Sequence, residues 1–377
     1  MKQTRRYDID WLRNIGILLL FPFHSARVFD YWDPFYVKSE SLNWPLSFFI
    51  AGTSFWFMPL LFWLAGSSSW YALQFRSSRQ YVKDRNSRLL IPLVFGLLLI
   101  VPPQGYFAKW AHHGESGNYF SFLKNYFLDF SDLSGYFGTF TPAHLWFILY
   151  LFVLSLVAFP LFIFLKNHHT TGKMERFHQF FSKPVVFLSF FLILAVTQVL
   201  PAPGGQNPFY FLVILIMGFI TASYPTYQEM FNRIRFIALL ALIILVPSWM
   251  MLIYHHQFDI LTTLIRSLNT WFALIVILGY GNKYLNFSHK LLPYMNEAAF
   301  PVYIVHQSVL VMVGFFILKL RLGIYSEYLL IMGSTLVISL IMYEWIIKRT
   351  ALTRGIFGVK IKPAKTMKNK DKMVIKT

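Results

Sequence analysis

The sequence predicts an all-α fold: a polytopic membrane protein of about ten transmembrane helices with N- and C-termini cytoplasmic. Three observations predict it. Hydrophobic residues fill 56% of the 377 positions and charged residues only 13%, whereas a soluble domain carries about 25% charged residues. Apolar runs near the ~20 residues that a bilayer requires recur along the whole chain. Lysine and arginine gather at the ends of those runs, on alternate sides.

The runs lie at 9–28, 48–73, 88–108, 143–165, 184–200, 208–224, 236–254, 265–282, 297–318 and 327–347. The fifth and sixth are short, and the helix breakers of Pro201–Pro208 set a tight turn between them. With the N-terminus inside, the segments 1–8, 74–88, 166–183, 225–235, 283–296 and the C-terminal tail hold about 26 of the 34 basic residues. The opposite orientation inverts that ratio, so the basic bias sets topology. The same placement accounts for the net charge of +18 without a nucleic-acid partner. The opening Met1-Lys-Gln-Thr-Arg-Arg6 and apolar run resemble a secretory signal, but Phe23-His-Ser-Ala-Arg27 is a poor cleavage site, so the run is read as the first span. Residues 1–358 read as one membrane domain. Residues 359–377 read as a basic, disordered cytoplasmic tail beside the anionic inner leaflet. The long outside segments 29–47 and 109–142 either carry binding residues or simply connect.

The chain has no cysteine, which excludes disulfides, thiol nucleophiles and thiolate metal sites. No metal-ligand cluster stands out, and no permanently bound cofactor is expected. The chemistry is sought among ionisable residues inside spans, which face the protein interior or a water-filled cavity. Arg13 and His24 stand eleven residues apart in the first span; at about 100° per residue they share a face, roughly 16 Å apart along the axis. Arginine offers a fixed cation and a planar fork of donors, and histidine is the usual general base at neutral pH. The alternatives are snorkelling of Arg13 beside Asp8 or Asp10, and interfacial hydrogen bonding of His24. Arg85 and Arg88, three apart at the inner mouth of the third span, suit the phosphates of a nucleotide or coenzyme A, or else only anchor the topology. His144 and Trp146 open the fourth span on the outer side, as interfacial anchors or as the lining of a site where an indole stacks on a sugar. In the ninth span Asn296 is read as a cap and Glu297 as a partner of the helix dipole. His306 falls about 14 Å deeper, where an imidazole needs a partner.

Asp10-Trp-Leu-Arg13 with His24, Arg85-x-x-Arg88, His144-Leu-Trp-Phe147 and Pro301-x-Tyr303-x-x-His306 occur in an order that resembles the integral-membrane acyltransferase 3 family. Val101-Pro-Pro-Gln-Gly-Tyr106, Ala298–His306 and Tyr343-Glu-Trp-Ile-Ile-Lys-Arg349 are similar to its glucan biosynthesis protein C branch. The resemblance runs from about Tyr7 to Gly358. It implies a membrane O-acyltransferase of the cell membrane that moves an acetyl or succinyl group from cytoplasmic acyl-CoA, a co-substrate, to a hydroxyl of an extracytoplasmic carbohydrate. It assigns catalysis to His24, Arg13 and Asp10, acyl-CoA binding to Arg85 and Arg88, and acceptor binding to His144, Trp146, Glu297, Tyr303 and His306. Many members have a serine where this chain has Ala299, so a role for that hydroxyl is absent here. The competing reading is a proton-coupled transporter of a sugar or small solute, which also uses buried Arg and His. The inner-mouth arginine pair separates the two, since a carrier of neutral sugars does not require it.

Overall fold

The computed structural model describes residues 5–360, apart from 115, 116, 133, 170, 257 and 258. The described residues form helices and connecting segments, with no strand among them. The chain opens with α1 (Tyr7–Ala26), α2 (Trp44–Phe75) and α3 (Ser78–His113), then a short α4 (Tyr119–Tyr126). Two bent pairs follow. In one, α5 (Ala143–Val157) meets α6 (Phe159–His168) at 50°; in the other, α7 (Met174–Phe181) meets α8 (Pro184–Gln198) at 76°. The remaining helices are α9 (Pro208–Ser223), α10 (Pro225–Tyr254), α11 (Ile260–Tyr284), α12 (Leu292–Ile317), α13 (Ile324–Ile347) and α14 (Ala351–Ile356). Most of the expected tail, 361–377, lies outside the described residues. Val359 is buried, and Arg354 donates to the Lys360 carbonyl at 3.0 and 2.7 Å.

Local chemistry sets the boundaries. Asn43, Asn207 and Asp259 each accept from the backbone N–H three residues on, at 2.9–3.0 Å, and so cap α2, α9 and α11. Pro160 and Pro184 open the second arms of the two bent pairs, where a missing N–H leaves no helical bond to break. Among the described residues seven helices are long and apolar enough to cross a membrane, and nine when each bent pair is one span. The expected count of ten includes α1, which is 20 residues long but falls outside that set, since it carries Asp8, Asp10, Arg13 and His24. The protein is a multi-pass, all-helical membrane protein.

Two expected inside loops are largely helical. Only Arg76 and Ser77 separate α2 from α3, so 78–88 continues into the third span, and 225–235 is the start of α10. Within α3 the turns widen to i→i+5 bonding over Asn86–Leu90 and Gly96–Ile100. Pro92, Pro102 and Pro103 supply no N–H to the carbonyls four residues earlier, and a widened turn absorbs the misfit.

Helices in a bilayer gain little from burying apolar surface against one another, so small residues that let backbones touch carry the packing. The closest contact is between α2 and α9. A Cβ at Gly66 would lie 2.0 Å from the Leu215 carbonyl oxygen, and one at Gly218 would lie 2.1 Å from that of Trp63. Ser67 Oγ adds a bond to the Gly218 carbonyl at 3.0 Å. The segment after α1 folds back into the protein: Val28, Phe29, Phe35, Tyr36 and Val37 are buried against α3 and α12. Asp30 is its fully buried centre, paired with Arg27 Nη1 and Lys38 Nζ at 2.8 Å each. Removing one partner of such a buried pair strands the other charge, at a cost of about 3–5 kcal/mol.

Gly66→Ala and Gly218→Ala should each lower the thermal midpoint of the detergent-solubilised protein, with a cost of about 1–3 kcal/mol from overpacking. Gly333→Ala, where an added Cβ meets nothing within 4 Å, should leave the midpoint unchanged or slightly raised. Equal midpoints for all three would contradict the close α2–α9 contact.

Candidate active site

Three histidines from distant parts of the chain meet under the outer loop. His24 stands in the last turn of α1, His144 in the first turn of α5 and His306 in the middle of α12. The His306 ring centroid lies 5.3 Å from that of His24 and 5.1 Å from that of His144. His144 and His306 are fully enclosed, whereas the His24 ring retains part of its surface.

The turn that places His144 is strained. Ala143 has φ 47°, a left-handed conformation unusual for a residue with a Cβ, and Thr141 Oγ1 accepts its N–H at 3.3 Å. His144 Nε2 bonds the Ile304 carbonyl at 2.8 Å, which requires a proton on Nε2. Its Nδ1 is then a lone pair that accepts from Gln104 Nε2 at 3.3 Å. His306 has the other tautomer, since Nδ1 bonds the Tyr303 carbonyl and Nε2 is buried with no partner. His24 Nδ1 is also buried and unpartnered. His144 therefore has both nitrogens committed to structure, while His24 and His306 each keep a free nitrogen.

Gln104 ties the chamber together. It donates to Ser308 Oγ at 2.8 Å and its carbonyl accepts from Gln307 at 3.3 Å. Ser308 in turn donates to the Ile100 carbonyl, while the N–H of Gln104, four residues on, bonds the Val101 carbonyl at 2.9 Å. The Tyr303 hydroxyl donates to the His144 carbonyl. From outside, Phe35 stacks over His24 at 6.4 Å and 14°, the Arg27 guanidinium lies 5.7 Å above Phe35, and Tyr136 packs on Phe35 at 5.9 Å. The segment after α1 covers the histidine cluster.

A protein-family model described as an acyltransferase domain, that of the acyltransferase 3 family, matches residues 6–344. The chain belongs to the acyltransferase 3 family. No curated protein and no solved structure matches the chain.

In this acyltransferase the candidate residues do not form one cluster. His24, His144, Tyr303 and His306 come together. Arg13 and Asp10 pair at the inner end of α1, at 2.9 Å, and Arg13 also donates to Asn296 Oδ1 at 2.9 Å. α1 is helical throughout, so Arg13 remains about 16 Å from His24 along the axis, too far for contact. Asn296 is not a cap, because α12 starts four residues earlier at Leu292; its Oδ1 instead joins Arg13 and Asn14, the latter at 2.7 Å. Glu297 likewise sits inside the helix, where it pairs with Arg354 at 3.1 Å and accepts from Tyr343 at 3.0 Å, so a helix-dipole role gives way to anchoring the chain after α13. Trp146 points to the other side of α5, packed on Phe62, Phe211 and Tyr150.

The arginine pair is unequal. Arg85 donates to Ser69 Oγ at 2.8 Å and to the Tyr81 hydroxyl at 3.0 Å, with its guanidinium over the Tyr81 ring. Arg88 is half-buried and forms no hydrogen bond or ion pair among the described residues. Gln104, Gln307 and Ser308 escaped the sequence reading, because an amide or hydroxyl in an apolar run signals nothing until its neighbours are known. The one available signal is Gln104 directly after Pro102-Pro103, where freed backbone carbonyls need side-chain partners.

Gln104→Leu keeps the volume and removes the partner of His144 Nδ1 and the link to Ser308. With a buried hydrogen bond contributing about 0.5–1.5 kcal/mol, acyl transfer should fall roughly tenfold while the protein still folds, as seen by size-exclusion profile and thermal midpoint. Unchanged turnover would show that His144 needs no such support.

Proposed function

We propose that this acyltransferase moves an acetyl or succinyl group from cytoplasmic acyl-coenzyme A to a hydroxyl of a carbohydrate on the outer side of the cell membrane. The observation that carries this reading is the histidine cluster in which His24 faces His306, each ring with a nitrogen that has no partner among the described residues. His24 acts as the base. The acceptor O–H proton passes to His24, the acceptor oxygen bonds to the thioester carbon, the C–S bond breaks, and the departing thiolate takes the proton back from His24. His306 faces the proton-carrying imidazole with a lone pair fixed by the Tyr303 bond. Burial strengthens every electrostatic interaction in the chamber.

The basic-residue bias supports an inside N-terminus, which puts Arg13 and Arg88 on the cytoplasmic side. Arg88, which has no hydrogen bond or ion pair among the described residues, takes a donor phosphate. Arg85 supports the site through Ser69 and Tyr81. Arg13, held by Asp10 and Asn296 with 38% of its side chain exposed, lines the donor's way inward. The motifs at 101–106, 298–306 and 343–349 favour a glucan-type acceptor, as in the glucan biosynthesis protein C branch.

In sealed right-side-out vesicles, outside glucan should be acylated only when acyl-coenzyme A is loaded inside, and His24→Ala should abolish transfer in protein that inserts and folds. Near-normal turnover in that variant would remove His24 from the mechanism. Equal labelling from donor supplied outside alone would reverse the path.

The two arginines give a separate test. Arg88→Ala should weaken coenzyme A binding about tenfold or more, in line with loss of a charge-assisted bond, with little change in thermal midpoint. Arg85→Ala should lower the midpoint more and the affinity less. The reverse pattern would assign the phosphate contact to Arg85.

A further inference from the structure

Beyond the chamber, the outer segment between α3 and α5 builds a second concave site. Its volume is about 450 Å³, within the roughly 300–1,000 Å³ of pockets that hold drug-sized ligands. The end of α3, the polar face of α4 and residues 129, 131, 132 and 137–139 line it. The floor is aromatic: Phe122 and Tyr126 are buried there, and Phe137 stands exposed at the rim. The walls carry Lys109, His113, Ser121 and Asn125, all exposed and none with a hydrogen bond or ion pair to the protein among the described residues. The Tyr126 hydroxyl is buried and donates to no acceptor within the fold.

The loop that completes the groove is held by its own bonds. Asp129 Oδ1 accepts from Ser131 N and Oγ at 3.1 and 2.6 Å, and Asp132 accepts from Ser134 N and Oγ at 2.9 and 2.6 Å. Phe140 N donates to the Asp129 carbonyl at 2.8 Å. The second oxygen of Asp129 stays available as an acceptor. Unpaired donors and acceptors of mixed sign over an aromatic floor match the surface of a sugar, whose hydroxyls both give and accept and whose C–H faces pack on rings. A phosphate would meet Asp129 and Asp132, and an apolar ligand would strand the polar walls.

The groove is one helix wall from the chamber. Gln104 faces His144, whereas the next residue, Gly105, faces the groove floor: a Cβ there would lie 2.6 Å from Cε2 of Tyr126. The loop then runs through Thr139 and Thr141 straight into the strained turn that carries His144. We propose that this groove is a saccharide-binding site that holds part of a polymeric acceptor while another of its hydroxyls enters the chamber. The inference rests on the carbohydrate-acceptor reading above and adds where the acceptor docks.

The test uses full-length protein in detergent or nanodiscs and a linear gluco-oligosaccharide of about seven units as probe. Binding is measured by calorimetry without donor, in the wild type, in His24→Ala, in Asn125→Trp, which fills the groove, and in Ser121→Ala with Asn125→Ala. These positions are exposed, and unchanged thermal midpoints verify folding. Wild type and His24→Ala should bind equally. The groove variants should lose at least tenfold in affinity and raise KM for the oligosaccharide by a similar factor, with KM for acyl-coenzyme A unchanged. Equal oligosaccharide affinity in the groove variants and wild type, or no binding by the wild type, would overturn the saccharide site. Binding that depends on the groove, in a protein that transfers no acyl group from acyl-coenzyme A, would instead overturn the donor reading and leave the groove assigned.

Discussion

The structure depends on one constraint: three imidazoles cannot be taken out of water and into a helical bundle unless their nitrogens are either bonded or put to use. Gln104 is the group that resolves it. Through its amide it meets His144, Ser308 and Gln307 at once, and it stands where two prolines have broken the regular bonding of α3. The irregular helix is what brings an amide to this depth with its carbonyl neighbours in need of donors. With both His144 nitrogens bonded, the buried ring nitrogens left without a partner among the described residues are His24 Nδ1 and His306 Nε2.

Around this chamber the bundle is rigid on one side and closed by loops on the other. The α2–α9 contact, backbone on backbone at Gly66 and Gly218, fixes a wall that no side chain can widen. The outer cover is of another kind. It is made of segment 27–43 with Tyr136 packed on it, and Phe35 stacks over His24 while ion pairs at Asp30 hold the fold-back in place. An acyl transfer that must exclude water benefits from such a cover, because an open site favours hydrolysis.

The inner end works by charge rather than by packing. Asp8 and Asp10 each pair with arginines, and Arg13 is shared between Asp10 and Asn296. The bonds to Asn296 hold α1 to α12, and Arg88 forms no hydrogen bond or ion pair among the described residues.

The sequence by itself determined the class, the helical spans and the family. Composition, run length and motif order are local properties, and a bilayer permits few architectures for a chain so apolar. Motif order also singled out His24, His144, Tyr303 and His306 one by one. Only the tertiary structure decided which of the candidates meet. Trp146 is two residues from His144, yet it faces the opposite side of α5, and Glu297 is nine residues from His306, yet it belongs to an anchoring ion pair. Arg13 and His24 do share one helix, but 16 Å of rise along that helix keeps the arginine away from the imidazole. Helical periodicity predicts a residue's face and depth on its own helix. It carries no information on what the neighbouring helix presents at that depth, and hydrogen-bond partners hundreds of residues apart, such as Gln104 and Ser308, are chosen by that crossing alone.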